Sequence, residues 1–255
     1  MTTVPSSSDV PPKRPRRKGY QYRERALGSL TQQIVQDLGI AIVTGKFSGE
    51  RGFPIEAEIC QRYSASRSVV REAIKVLNAK GLLIARPRRG TSIRPRQEWN
   101  LLDPDVLFWM LKQRFNLPLL IDFTRARLAI EPAAAAEAAR TATEQQQAHM
   151  QRMLERMAEA AHGSLDPLET DVDFHLAILE ASNNEFFYHM SPVIETALRF
   201  SIRFTNRQLR QRIASLKEHQ VILDAILERD QARAAEETRG LLERALDIML
   251  SKQSD

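Results

Sequence analysis

A chain of 255 residues, 43% hydrophobic and 27% charged, holds enough apolar material for a sizeable core in one large domain or two smaller ones. Its one cysteine, Cys60, excludes an internal disulfide, no apolar run approaches the roughly 18 residues of a membrane helix, and no signal peptide opens the sequence, so a cytoplasmic protein without a membrane partner is expected. The net charge of +5 is polarised: residues 1 to 99 carry 19 Lys and Arg against 8 Asp and Glu, a net +11, and the rest carries 18 against 24, a net −6, which suits a phosphate-binding front and a separate module behind it.

Residues 1–24 combine Ser6-Ser7-Ser8, Pro11-Pro12 and the basic run Lys13-Arg14-Pro15-Arg16-Arg17-Lys18 with almost nothing apolar to bury. They read as a disordered basic arm, either a solubilising tail or a contact to DNA backbone. From Leu27 to Ile42, apolar residues at Leu30, Ile34, Leu38 and Ile42 recur at helical spacing, with Gly45 where the helix should stop. Phe53-Pro54 restarts the chain into a short helix over Ile55 to Tyr63, Tyr63-Ser64-Ala65 turns it, and Ser66 caps a third helix running to about Lys80. Gly81 ends that helix, and Leu82–Ala85 and Thr91–Ile93 are short strands flanking Arg86 to Gly90, a two-stranded wing.

Beyond a linker, Asp103-Pro104 offers a cap followed by proline at the first helical position. Helical periodicity then continues through Val106–Phe115, Leu117–Arg140, Thr143–Ala161, Asp166–Ala181, Glu185–Arg212, Leu216–Arg229 and Gln231–Ser251, without strand signals. The expected fold is mostly α: a winged helix-turn-helix over residues 25–96, a linker over 97–105 and an all-helical bundle over 106–252.

On the third helix Val70, Ala73, Ile74 and Leu77 follow the i, i+3, i+4, i+7 pattern and should pack inward. Arg67, Arg71 and Lys75 stand four apart on another face, with Ser66 and Ser68 at its N-terminal end. In isolation such a row also describes a solvated charged face. The short helix and turn before it, the small Ala65 and Ser66 at the junction and the basic wing behind it favour DNA, with backbone N–H groups for phosphate and arginine forks for guanine edges.

Phe53-Pro54-Ile55-Glu56, the run Ser66-Arg67-Ser68-Val69-Val70-Arg71-Glu72-Ala73, and Lys80-Gly81-Leu82-Leu83 with Arg89-Gly90-Thr91 resemble the GntR superfamily of bacterial transcription regulators, in its FadR-like branch. The resemblance spans about residues 27 to 250. It implies a homodimer reading a short palindromic operator in double-stranded DNA, recognition-helix arginines on bases and phosphates, and a wing reaching the minor groove. Ser66, Arg67, Ser68, Arg71, Arg89 and Gly90 are the candidate contacts. Where that family often has an arginine after Pro-x-Glu, this chain has Ala57, so one contact fewer is expected.

In the rear half, Asp171 and His175 are four apart on a helix whose Val172, Phe174, Leu176, Ile178 and Leu179 are apolar almost all round, so both polar groups need partners inside. His219 falls on the stripe of Leu216, Leu223 and Ile226. A carboxylate and two imidazoles converging in a bundle suit a divalent metal; a buried carboxylate-imidazole hydrogen bond and a satisfied core histidine suit the same residues. Resemblance to the FCD effector domain of FadR-like regulators implies metal held by Asp171, His175 and His219, with the family's last-helix histidine replaced by Leu241. Either Zn²⁺, Ni²⁺ or Mn²⁺ is bound at an incomplete site, completed by water or effector oxygens, or the site has lost its metal and binds effector by hydrogen bonds.

Arg127, four before Glu131, matches a position that in this family faces an effector carboxylate, although a surface arginine would look the same. Asn184, Thr205 and His219 complete the effector-site candidates, Asn184 doubling as a helix cap. The junction Arg96 to Trp109 resembles that of sugar-acid (galactonate-type) operon repressors, which implies an aldonic acid or related small carboxylate as effector. The expected function is a ligand-responsive repressor, not an enzyme, with Trp99 to Trp109 as either the mechanical link or ordinary interdomain packing. Two other readings stay open on the residues alone: a metal-dependent enzyme built on Asp171, His175 and His219, and a non-specific architectural DNA-binding protein using the basic arm.

Overall fold

The computed structural model describes residues 29–48, 52–86, 90–113, 116–209 and 216–253, so the basic arm, Arg89, Phe115 and Arg212 lie outside the described residues. In the front part, helices α1 (Leu30–Val43), α2 (Glu56–Tyr63) and α3 (Arg67–Ala79) precede an antiparallel hairpin of β1 (Leu83–Arg86) and β2 (Gly90–Ile93). The hairpin pairs Leu83 with Ile93 and Arg86 with Gly90. Ile34, Leu38 and Ile42 of α1 meet Ile59 of α2 and Val70, Ala73, Ile74 and Leu77 of α3 in one apolar cluster. The inward stripe read from α3 is therefore the buried one. Ser66 caps α3, its Oγ accepting from the Val69 N–H, and Gly81 ends the turn beyond it with φ +76°. A Cβ at position 81 would also stand 3.0 Å from the Asn100 nitrogen and 3.1 Å from the Glu98 oxygen, so glycine serves both the left-handed turn and the passage of the following segment.

That segment is docked on the hairpin. The Arg94 N–H donates to the Leu82 carbonyl, Arg94 Nε donates to the Leu83 carbonyl at 2.9 Å, and Trp99 Nε1 donates to the Arg94 carbonyl at 2.9 Å. After one 3₁₀ turn over Arg96–Glu98, helix α4 (Pro104–Gln113) begins where Asp103 Oδ1 accepts from the N–H groups of Asp105 and Val106. Val106, Trp109 and Met110 join the front core, whereas Leu107 and Leu111 join a rear one. Phe108 packs at a tilt against Phe200 of the rear bundle, with ring centroids 5.6 Å apart.

The rear bundle comprises α5 (Leu117–Thr141), α6 (Glu144–Ala161), α7 (Pro167–Ala181), α8 (Glu185–Leu209), α9 (Leu216–Leu227) and α10 (Gln231–Gln253). Its starts are capped by the side chains of Asn116, Thr143, Asp166 and Asn184, in accord with the capping preference for Ser, Thr, Asp and Asn. α9 stops at Leu227, two residues before the expected Arg229, because Arg229 itself turns left-handed at φ +63° and sends Nη1 to the Ala139 carbonyl. Two apolar clusters fill the bundle, one around Phe174, Ile178, Ile222 and Ile226, the other around Leu120, Val172, Ile194 and Leu198. No helix among the described residues is long and apolar enough to cross a membrane.

The seam between the two parts is tight. A Cβ at Gly39 on α1 would lie 2.3 Å from the Trp109 ring, so only glycine admits the indole there. Lys80, the residue after α3, donates to both Asp103 oxygens at 2.9 Å and to Asp105 at 2.7 Å, and its Nζ lies 5.8 Å from the Trp109 ring centroid. Trp109→Ala should cost about 3–5 kcal/mol in urea unfolding and Gly39→Ala about 1–3 kcal/mol. The double variant should cost less than the sum, since removing the indole makes room for the added methyl; strict additivity would show that the two do not share this contact.

Candidate DNA interface and buried acid-histidine site

The outward face of α3 carries Arg67, Arg71 and Lys75, all exposed, because the opposite face is spent on the core. Arg71 Nε donates to Glu56 Oε2 of α2 at 3.0 Å, and Lys75 pairs with Glu72 at 2.7 Å. Ser66 and Ser68 share a hydrogen bond between their hydroxyls at 2.9 Å beside the N-terminus of α3. Gly90 opens β2 at φ +78° with nothing within 4 Å of a Cβ placed on it. The groups on α3 present cationic forks, hydroxyls and a helix N-terminus, the donor set that phosphates and guanine edges accept.

Inside the rear bundle, α5, α7, α8 and α9 bring a second set together. Asp171 and His175 face the interior from α7, and His219 does so from α9. Asp171 Oδ1 stands 3.4 Å from His175 Nε2 and 3.5 Å from His219 Nε2. On its other side His175 Nδ1 is 3.0 Å from Glu131 Oε2 of α5. Glu131 in turn receives Arg127, Nε to Oε1 and Nη2 to Oε2, and Arg127 Nη1 reaches Ser201 Oγ of α8 at 3.5 Å. The Phe174 ring packs edge-on against His219 with centroids 5.2 Å apart and confines that imidazole. Arg127 is 2% exposed, which removes the surface reading of that arginine.

Burial alone would raise the carboxyls of Asp171 and Glu131. Instead Asp171 is held well below the usual carboxylate range by His175 and His219, and Glu131 is lowered to about 2 by Arg127 and then His175. Burial would likewise lower His175, but the carboxylates of Asp171 and Glu131 on its two sides outweigh it and raise the imidazole to about 9.

The set also fits a metal ion. One oxygen and two nitrogens from Asp171, His175 and His219 all lie within 4.8 Å of one another, and Asp171 Oδ1 is buried without a hydrogen bond. Donors held at the usual zinc distances stand about 3.4 Å apart in a tetrahedron, so little movement would be required. Glu131, by taking Nδ1–H, leaves His175 Nε2 as the ligating nitrogen, the usual outer support of a metal histidine. In the sequence Glu131 is marked only by standing four after Arg127; its pairing with His175 across two helices carries no local signal. Leu241 of α10 packs against the apolar cluster, and among the described residues no further His, Cys, Asp or Glu joins the three.

Asn184 and Thr205 are engaged locally. Asn184 Oδ1 accepts from the Phe186 N–H at 2.9 Å, and the Thr205 hydroxyl donates to the Ser201 and Ile202 carbonyls of its own helix.

Comparison with known proteins gives the arrangement a context. A model of bacterial regulatory proteins of the gntR family matches residues 30–93, and one of the FCD domain matches residues 122–244. The galactonate operon transcriptional repressor of Escherichia coli (strain K12) is 33% identical over 204 residues, 78% of this chain and 88% of that protein. The uncharacterized HTH-type transcriptional regulator YieP of the same strain is 31% identical over 217 residues, 84% of this chain and 93% of that protein. Among solved structures, Lar, which controls expression of the Listeria monocytogenes agr system, superposes with a TM-score of 0.54 at 17% identity, covering 88% of this chain and 98% of its own, a likeness of fold.

The charges of the cluster set a pH dependence in chelator-treated protein. His175 contributes stability fully below its ordinary value of 6.5 and loses it as pH rises through about 9, whereas Glu131 contributes above its ordinary 4.5 and, with Asp171, loses that as pH falls. The unfolding free energy should therefore be greatest between about pH 4.5 and 6.5 and decline towards pH 9. In His175→Gln the alkaline decline should disappear; an unchanged profile would remove this assignment.

Proposed function

The chain belongs to the gntR family of bacterial regulatory proteins, a DNA-binding transcription regulator with an FCD domain behind its winged helix and not an enzyme, and on that premise we propose that it is a homodimeric repressor released from its operator by a small sugar acid or related hydroxycarboxylate. The observation that carries the effector half of this reading is the buried convergence of Asp171, His175 and His219, backed by Glu131 and Arg127. A buried set of ligand atoms supported by outer hydrogen bonds is costly to maintain for packing alone. The 33% identity to the galactonate operon transcriptional repressor favours an aldonic acid among carboxylates.

On this reading Asp171, His175 and His219 hold a divalent ion, Zn²⁺, Ni²⁺ or Mn²⁺, whose chemistry is to supply positive charge for the effector's carboxylate and hydroxyl oxygens. Glu131 fixes the tautomer of His175, and Arg127 keeps Glu131 ionised and adds a cation on the α8 side at Ser201, whereas Asn184, just before the start of α8 and about 25 Å along it from Ser201, stands apart from this set. Arg67 and Arg71 read bases, and Ser66, Ser68 and Gly90 meet the backbone; Arg89, outside the described residues, is assigned to DNA through the family resemblance. In the dimer two α3 helices must stand about 34 Å apart to meet successive major-groove faces. An effector that binds better to a dimer of another spacing lowers operator affinity by the ratio of its two affinities.

Two measurements test the two halves. Arg67→Ala or Arg71→Ala should cost roughly 1–3 kcal/mol of operator binding if each makes a bidentate base contact, and full-strength binding by both would remove that assignment. In a thermal-shift panel of sugar acids with added Zn²⁺ or Mn²⁺, an aldonate at a hundredfold its dissociation constant should stabilise the protein by about 2.7 kcal/mol and dissociate it from operator. His175→Ala should abolish both the metal content and the response. Metal-free protein that still answers the aldonate would overturn the metal, and a panel without any response would overturn the effector class.

A further inference from the structure

We propose that Glu56 is a positioning residue for operator reading, which acts by aiming the guanidinium of Arg71; the inference rests on the assignment of Arg71 to DNA made above. Glu56 is the first residue of α2, and its Oε2 accepts from Arg71 Nε on α3 at 3.0 Å. Their side chains are 40% and 63% exposed, and a solvent-exposed pair of this kind adds little to the stability of the fold. Nor is Glu56 needed to finish the start of α2: the exposed Ile55 N–H is already taken by the carboxylate of Glu58 at 3.0 Å. What the pair does accomplish is geometric. With Nε held from α2, Nη1 and Nη2 of Arg71 make no hydrogen bond among the described residues, and these are the two nitrogens that a bidentate contact to guanine uses.

The electrostatics sharpen the inference. A carboxylate on a face that meets phosphates repels the ligand, so Glu56 opposes DNA binding in general. Its neighbours do not share this part: Glu72 is paired with Lys75 on α3 itself. A group that weakens every DNA complex through its charge, yet restrains the arginine that reads bases, raises discrimination while lowering sequence-independent affinity. Restraint of a long side chain before binding spares the cost of immobilising it, about 2- to 10-fold in affinity for one such side chain.

The experiment uses the full-length protein, a palindromic duplex selected by the wild type from a randomised pool, and a random duplex of equal length, with dissociation constants measured by fluorescence anisotropy at one salt concentration. Glu56→Gln should lower the ratio of selected to random affinity by about 2- to 10-fold, with random-duplex binding equal to or tighter than wild type. Glu56→Asp, which keeps the charge but withdraws the carboxylate by one methylene, should lose discrimination without any gain on the random duplex. In an Arg71→Ala background the Glu56→Gln effect on the ratio should vanish. Arg71→Ala with wild-type discrimination would overturn the assignment of Arg71 and this proposal together. Arg71→Ala that loses discrimination while Glu56→Gln keeps it, or a Glu56→Gln protein that weakens both duplexes equally, would overturn the role of Glu56 alone.

Discussion

The contact on which the whole arrangement depends is the seating of Trp109 against Gly39. Helix α4 lends Val106, Trp109 and Met110 to the core under the DNA-reading helix and Leu107 and Leu111 to the core of the rear bundle. It is therefore not a tether between two finished domains but a shared element of both. A hinge at this point would have to expose the indole, which is 2% exposed, and separate Lys80 from two carboxylates that hold it with bonds of 2.7–2.9 Å. Packed interiors resist graded deformation and shift between discrete arrangements. Movement in the rear bundle would thus be delivered to α3 as displacement of a rigid body, and in the proposed dimer the property it can alter is the spacing of the two α3 helices.

Lys80 has a further consequence for that coupling. It follows the last residue of α3, so the C-terminal end of the reading helix is tied to the N-terminal end of α4 through Asp103 and Asp105, while Asp103 also caps α4. Burial would lower the Lys80 amine, and the two aspartates outweigh it and keep the group charged well above neutrality. The clamp is accordingly insensitive to pH across the ordinary range, unlike the acid-histidine cluster.

Much of this was legible in the sequence because local chemistry decides it. Ser66 before an amphipathic run, Gly81 after it, Asp103 before Pro104 and Asp166 before Pro167 fixed the helix starts and stops to within a residue or two, since capping and left-handed turns are local requirements. The all-apolar character of α7 foretold the burial of Asp171 and His175 for the same reason, as a helix without a polar face has nowhere to place them but inside. Glu131, Glu56 and Gly39 were not legible. Each matters through one contact with a residue on another helix, and sequence spacing on a single helix does not state which helix will face it. Arg127 shows the boundary well: as one of two arginines on α5 it is indistinguishable from Arg125, yet Arg125 is exposed and pairs with Asp122 while Arg127 is buried on Glu131.

The charge balance of the buried cluster links the proposed metal to the proposed effector. In the ion-free protein Arg127 and protonated His175 offset Glu131 and Asp171, so four ionised groups sit inside the bundle with no net charge. If His175 gives up its proton to ligate a divalent cation, Arg127 and the ion together exceed the two carboxylates by one unit of charge. A buried excess of one positive charge is expensive in low dielectric unless an anion enters. A monocarboxylate supplies that anion, and its hydroxyls can occupy the coordination positions that Leu241, in place of a histidine, leaves without a protein ligand. On the proposed reading, a site of only three protein ligands and a hydroxy-acid effector answer one electrostatic requirement: the fewer ligands the protein supplies, the more of the coordination shell and of the compensating charge the effector must bring.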